Sequence, residues 1–205
     1  MLYNLLYPLS DQYSVLNIFK YLTFRTGGAI FTALILCFLI GPMIIHWLKD
    51  KQHACQPIRE DGPESHLKTK QGTPTMGGLM ILVSLCLSTL LWADWKNTFV
   101  WVVLGITIAF SLIGFADDYL KVSKKNSKGM PGKLKLVLEF SCAFVAVWLI
   151  TKATTQPTAT TLAFPFFKNL SLNLCLFYIP FAMFVIVGSS NAGNLTAGLG
   201  GVGFF

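Results

Sequence analysis

Residues 98–121 read TFVWVVLGITIAFSLIGFADDYLK, and the character of that stretch settles the fold. Up to Ala116 it carries no charge, and a helix needs about 20 mostly apolar residues to cross the hydrocarbon core of a bilayer. The apolar residues run on without the in-and-out alternation of a membrane β-barrel, so a barrel is excluded. Four further runs of this kind lie at 27–48, 76–92, 134–151 and 174–189, which makes five spans in all. The sequence therefore predicts an all-α, polytopic transmembrane helical bundle, with residues 1–205 forming a single transmembrane domain.

Composition agrees with this. Of 205 residues 54% are hydrophobic and 12% charged, whereas a soluble domain carries about 25% charged residues. A globular cytosolic protein, a disordered chain and a secreted disulfide scaffold are all excluded. The cysteines Cys37, Cys55, Cys86, Cys142 and Cys175 are dispersed without a C-x-x-C pair, and read as buried small hydrophobes. Residues 1–24 lack the basic start of a signal peptide and read as an interfacial or short amphipathic helical segment.

Charge sets the expected orientation. Lys49, Lys51, Arg59, Lys68 and Lys70 follow the first span, and Lys121, Lys124, Lys125, Lys128, Lys133 and Lys135 follow the third; the other connections hold only Lys96, Lys152 and Lys168. The positive-inside rule places the two rich loops in the cytoplasm and the N-terminus outside. Every polar cluster then lies at one face, where the loops can converge on a cytoplasmic cleft. The net charge of +7 serves either attraction to anionic lipid or a basin for a phosphorylated substrate. Nucleic acid is a poor third choice.

Three clusters carry the chemistry. Asp117-Asp118 ends the third span, where a carboxylate near hydrocarbon costs about 2.5 to 3.5 kcal/mol. Such a pair can hold magnesium or supply a base; the plain alternative is a solvated helix terminus, although acids there oppose the helix dipole. In Lys68-Thr69-Lys70-Gln71-Gly72-Thr73-Pro74-Thr75-Met76-Gly77-Gly78 the lysines and threonines suit a pyrophosphate, or else the threonines cap the second span. The third cluster, Gly188-Ser189-Ser190-Asn191-Ala192-Gly193-Asn194-Leu195-Thr196, offers backbone and amide groups for a base or sugar at a span end. His46, His53 and His66 lack the spacing of a helical zinc pair. Glu139 is close enough to the interface to snorkel there, or to make a minor pathway contact.

Together these clusters resemble the bacterial phospho-N-acetylmuramoyl-pentapeptide transferases, within the wider polyprenyl-phosphate hexosamine-1-phosphate transferases. The resemblance rests on Arg59-Glu60-Asp61-Gly62-Pro63 with His66, on 70–78, on Asp117-Asp118-Tyr119-Leu120-Lys121 with Ser127-Lys128-Gly129, and on Ser189-Ser190-Asn191-Ala192 with Asn194-Leu195-Thr196. It implies transfer of phospho-N-acetylmuramoyl-pentapeptide from its UDP carrier to undecaprenyl phosphate, giving lipid I and UMP, with Mg2+ required. By the same resemblance Asp117 is the base or orienting group on the lipid phosphate, and Asp118 supports magnesium or the pyrophosphate. Lys70 and Thr75 contact the uridine diphosphate, Lys133 steadies phosphate, Asn194 lies in the nucleotide pocket and Asn191 joins the substrate-binding set. Homodimerisation is a further implication.

The family pattern continues Asn-Leu-Thr with two aspartates, where this chain has Ala197 and Gly200. It also has about ten spans, with a further metal ligand in its second half. The chain is accordingly read as the N-terminal half with an aberrant C-terminus, and is expected neither to turn over nor to bind the UDP-substrate well alone. An N-acetylglucosamine-1-phosphate transferase and a non-catalytic membrane remnant are the alternatives. A transporter is disfavoured because the polar clusters avoid mid-bilayer.

Overall fold

The computed structural model describes residues 1–51, 77–123, 129–156, 159–164, 167 and 171–199. A short helix α1 (Leu2–Leu6) and two 3-10 segments, Tyr7–Asp11 and Ser14–Lys20, precede α2 (Leu22–Lys51). Then come α3 (Gly78–Trp92), α4 (Thr98–Ser123) and α5 (Gly132–Ala153). An antiparallel ladder of β1 (Thr161–Ala163) and β2 (Ser171–Asn173) and a 3-10 turn, Cys175–Phe177, lead into α6 (Tyr178–Leu199). Among the described residues four segments are long and apolar enough to cross a membrane: Leu22–Leu48, Thr98–Ser123, Gly132–Ala153 and Cys175–Gly193. The protein is a polytopic, all-α membrane protein, as its composition requires.

Two compact units make up the chain, Met1–Pro131 and Gly132–Phe205. In the first, α2 packs against α3, and Gly28 shows why the contact is close. A Cβ there would overlap the Trp92 indole, whose Nε1 donates to Thr32 Oγ1 at 2.9 Å while the Thr32 hydroxyl donates to the Gly28 carbonyl at 2.7 Å. Phe19 and Phe24 flank the same indole, and the Arg25 guanidinium lies 4.2 Å over the Tyr3 ring. Residues 1–21 thus fold as short helical turns against the ends of α2 and α3. Ser84 and Ser88, one turn apart on α3, are buried, as are Val102, Leu104 and Ile113 on α4. Small side chains at such positions let membrane helices approach closely.

In the second unit α5 packs on α6 through buried Ala143, Ala146, Val147 and Val187, with Phe140 edge-on to Phe184 at 5.3 Å. Elsewhere large apolar side chains point outward: Phe31, Phe38 and Leu39 are 69%, 74% and 70% exposed. In water such a surface would aggregate; against acyl chains it is solvated, since lipid is as apolar as leucine.

Several boundaries differ from those the sequence suggests. Within the second expected span, 76–92, the structure gives a helix of 15 residues, Gly78–Trp92, with Gly77 at its N-cap position. α4 does not stop at Ala116 but runs to Ser123, since Lys121 in its last turn complements the dipole that Asp117 and Asp118 oppose. The small and amide residues after Ser189 do not form an irregular end but continue α6 to Leu199. The β1–β2 ladder was not anticipated, because three-residue strands carry too little alternation to register. Nor is Cys175 buried: it is exposed, at a positive φ of 44° where the 3-10 turn begins.

Candidate functional site

The most concentrated charge among the described residues sits on the last two turns of α4. Spacing explains it: residues three and four apart on a helix face one another, so Lys121 reaches back to both aspartates. Its Nζ lies 2.6 Å from Asp117 Oδ2 and 3.1 Å from Asp118 Oδ1. One ammonium thus neutralises half the charge of the pair. Asp117 is further engaged, accepting the Met130 N–H at 2.7 Å on Oδ1. That bond needs Gly129, whose φ of +57° brings the chain back over α4; a Cβ there would overlap Asp117 Oδ1 and crowd Lys121. The two acids therefore differ. Asp117 is 15% exposed and held from both sides, while Asp118 is 36% exposed and meets Lys121 through Oδ1.

The second unit contains a polar group of another kind. Glu139, about two turns into α5, is buried at 3% exposure and does not snorkel, contrary to the expectation from its nearness to the interface. Its Oε2 accepts from Asn191 Nδ2 on α6, and its Oε1 faces Lys135 Nζ at 3.9 Å. Asn191 Nδ2 also donates to the Val187 carbonyl at 3.0 Å. A carboxylate this deep is retained only when paired and hydrogen-bonded, and α6 supplies the bond.

The remaining expected site residues fall into two groups. Lys133 is exposed in the first turn of α5, where a cation meets the positive end of the dipole and favours an anion nearby. Lys70 and Thr75, like Cys55, His53, His66 and Gly200, lie outside the described residues, and Asn194 and Ala197 are placed by backbone alone. Among the described residues no three His, Cys, Asp or Glu side chains are grouped to hold a metal ion. Sequence reading missed Lys121 as the partner of the aspartates, although the i, i+3 and i, i+4 spacing was there to see. It also missed Glu139 as the partner of Asn191, for which no local signal exists.

The glycosyl transferase family 4 pattern matches residues 100–204, half of the chain, from α4 through α6. The chain belongs to glycosyl transferase family 4. Within that family a narrower pattern, phospho-N-acetylmuramoyl-pentapeptide-transferase signature 1, matches residues 70–82 and so runs into the start of α3. A phospho-N-acetylmuramoyl-pentapeptide-transferase of Granulibacter bethesdensis is 50% identical over 202 residues, covering 98% of this chain and 56% of the relative. One from Dinoroseobacter shibae is 52% identical over 194 residues, 95% of this chain and 54% of the relative. This family 4 chain thus spans about half the length of the curated relatives it matches.

Proposed function

We propose that the chain carries part of the active face of an enzyme that moves phospho-N-acetylmuramoyl-pentapeptide from UDP to undecaprenyl phosphate at the cytoplasmic side of a bacterial inner membrane. In that reaction an oxygen of the lipid phosphate forms a bond to the sugar-bearing phosphorus. The pyrophosphate bond breaks, and UMP leaves with the bridging oxygen. The observation that carries the reading is the Asp117–Asp118–Lys121 cluster at the end of a membrane-length helix. Its placement suits a phosphate attached to a membrane-embedded lipid, and the signature over 70–82 supports the particular sugar.

Asp117, fixed by Lys121 and Met130, orients the attacking lipid phosphate. Asp118, the more exposed carboxylate, is the group that reaches a cation. Carboxylate oxygens are the donor type that magnesium takes, and the ion would complete its shell with water and substrate phosphates. Bound there, it would supply charge neutralisation on the pyrophosphate. Lys133 and Lys70 add positive charge toward phosphate, Thr75 and Asn194 contact the nucleotide, and Asn191 contributes an amide.

The test joins residues 1–196 to the remaining C-terminal part of the Dinoroseobacter shibae relative. UMP release is then followed from UDP-N-acetylmuramoyl-pentapeptide with undecaprenyl phosphate in detergent. Release that requires both lipid and Mg2+ is expected, with none from the 205-residue chain alone. No release from the chimera, or equal release from UDP-N-acetylglucosamine, counts against the assignment.

A further inference from the structure

Asn191 is the one amide of the 188–196 run whose side chain is both described and bonded across to another helix. Its two neighbours decide which way it faces. A side-chain amide has two N–H donors on Nδ2 and one acceptor oxygen, and which end is which is settled by its partners. Here both partners accept only: the Glu139 carboxylate, held beside Lys135, and the Val187 carbonyl, which belongs to the helix backbone. Nδ2 must therefore lie on the Glu139 side, and both of its donors are committed. Oδ1 is the part of the amide those bonds leave over.

We propose that Glu139 is a positioning residue that fixes Asn191 so that it presents an acceptor, and only an acceptor, to the substrate. This rests on the uridine-nucleotide reading above and deepens it. Phosphate oxygens accept and do not donate at neutral pH, so an outward Oδ1 does not serve the pyrophosphate. It serves an N–H or O–H of the nucleotide sugar, namely the imide or ribose donors of the nucleoside or the acetamido N–H of the sugar. Lys135 Nζ faces the other carboxylate oxygen at 3.9 Å, and burial at 3% exposure keeps water from substituting for either partner. Sequence resemblance put Asn191 in the binding set without saying which atom acts; the two acceptors around Nδ2 say which.

The experiment uses the full chain in detergent micelles and three probes: inorganic pyrophosphate, UDP and UDP-N-acetylglucosamine, each titrated by ligand-observed NMR so that weak binding is measurable. Glu139→Leu frees the amide to rotate, whereas Glu139→Gln keeps an acceptor oxygen toward Nδ2. Loss of one well-placed hydrogen bond predicts about tenfold weaker binding in Glu139→Leu. A loss seen already with UDP assigns the donor to the nucleoside, and one seen only with the UDP-sugar assigns it to the acetamido group. Pyrophosphate affinity is unchanged, and Glu139→Gln restores the nucleotide affinity. A parallel drop for pyrophosphate, or wild-type affinity for every probe in Glu139→Leu, overturns the proposal while leaving the nucleotide reading intact. If the wild-type chain binds pyrophosphate but discriminates nothing in favour of UDP or the UDP-sugar, both fall. Unfolding midpoints of the variants, measured in the same micelles, separate a misfolded Glu139→Leu from an informative one, and Asn191→Leu must then reproduce its probe pattern for the proposal to stand.

Discussion

Among the described residues, the acids of α4 and the Glu139 carboxylate of α5 keep charge beside hydrocarbon in opposite ways. On α4 the acids and their cation share one helix: Asp117, Asp118 and Lys121 pair within a single turn and stay partly open to solvent. Between α5 and α6 a single carboxylate is buried, and its hydrogen bond comes from a residue 52 positions away. The first arrangement costs little to form and little to alter, because the neutralising group arrives with the helix itself. The second depends on tertiary packing and so fixes geometry more firmly. A locally paired acid left partly exposed, as Asp118 is, can meet a ligand; a buried, remotely paired acid is suited to holding something else in place.

If this division is right, the two sites answer differently to substitution. Asp118→Asn should abolish at least about 10²-fold of UMP release in the chimera, the scale of losing one preorganised charge contact. Its thermal unfolding in detergent should stay at the wild-type value, and a joint loss of stability would put Asp118 in the structural class. Glu139→Leu should do the reverse, lowering unfolding free energy by about 1–3 kcal/mol because the Asn191 donor is left unsatisfied. Glu139→Gln should cost less than half as much; equal costs would mean that the charge, and not the hydrogen bond, carries the contact. Gly129→Ala comes next, at about 1 kcal/mol for a side chain forced to positive φ. The loss should appear as faster hydrogen exchange at the Met130 amide, and unchanged exchange would dissociate Gly129 from the Asp117 clamp. Smallest is Lys121→Met, about 0.2–1 kcal/mol, as partly exposed ion pairs are worth. A larger effect, read from the same unfolding curves, would show that the α4 cluster behaves like the buried one.

The same contrast accounts for what could be read in advance. Long apolar runs foretold α2, α4, α5 and α6 because a span is a local property of some 20 residues. Asp117 and Asp118 stood out because two acids beside an apolar run are improbable without a purpose. Lys121 was legible too, had its helical spacing been followed past Ala116, where the expected span was ended too early. Glu139 and Asn191 were each visible as single polar residues, but their pairing was not, since nothing in either segment encodes the register of α5 against α6. The run after Ser189 looked like loop because glycine, serine and asparagine are weak helix formers in water; in a membrane protein small residues are also tolerated within helices, where they aid packing.

One dimension of α3 has a mechanical outcome. Fifteen residues at 1.5 Å each give a rod of about 22 Å, against a hydrocarbon slab of about 30 Å. A shorter rod is matched by dimpling the bilayer, at fractions of a kcal/mol per ångström. Were α3 to span by itself, the leaflets beside it would be drawn toward each other, and headgroups of neighbouring lipids would ride deeper than in the undisturbed sheet. Such a span would carry a local thin spot with it, and bilayers of short acyl chains would accommodate it with less elastic work than bilayers of long ones.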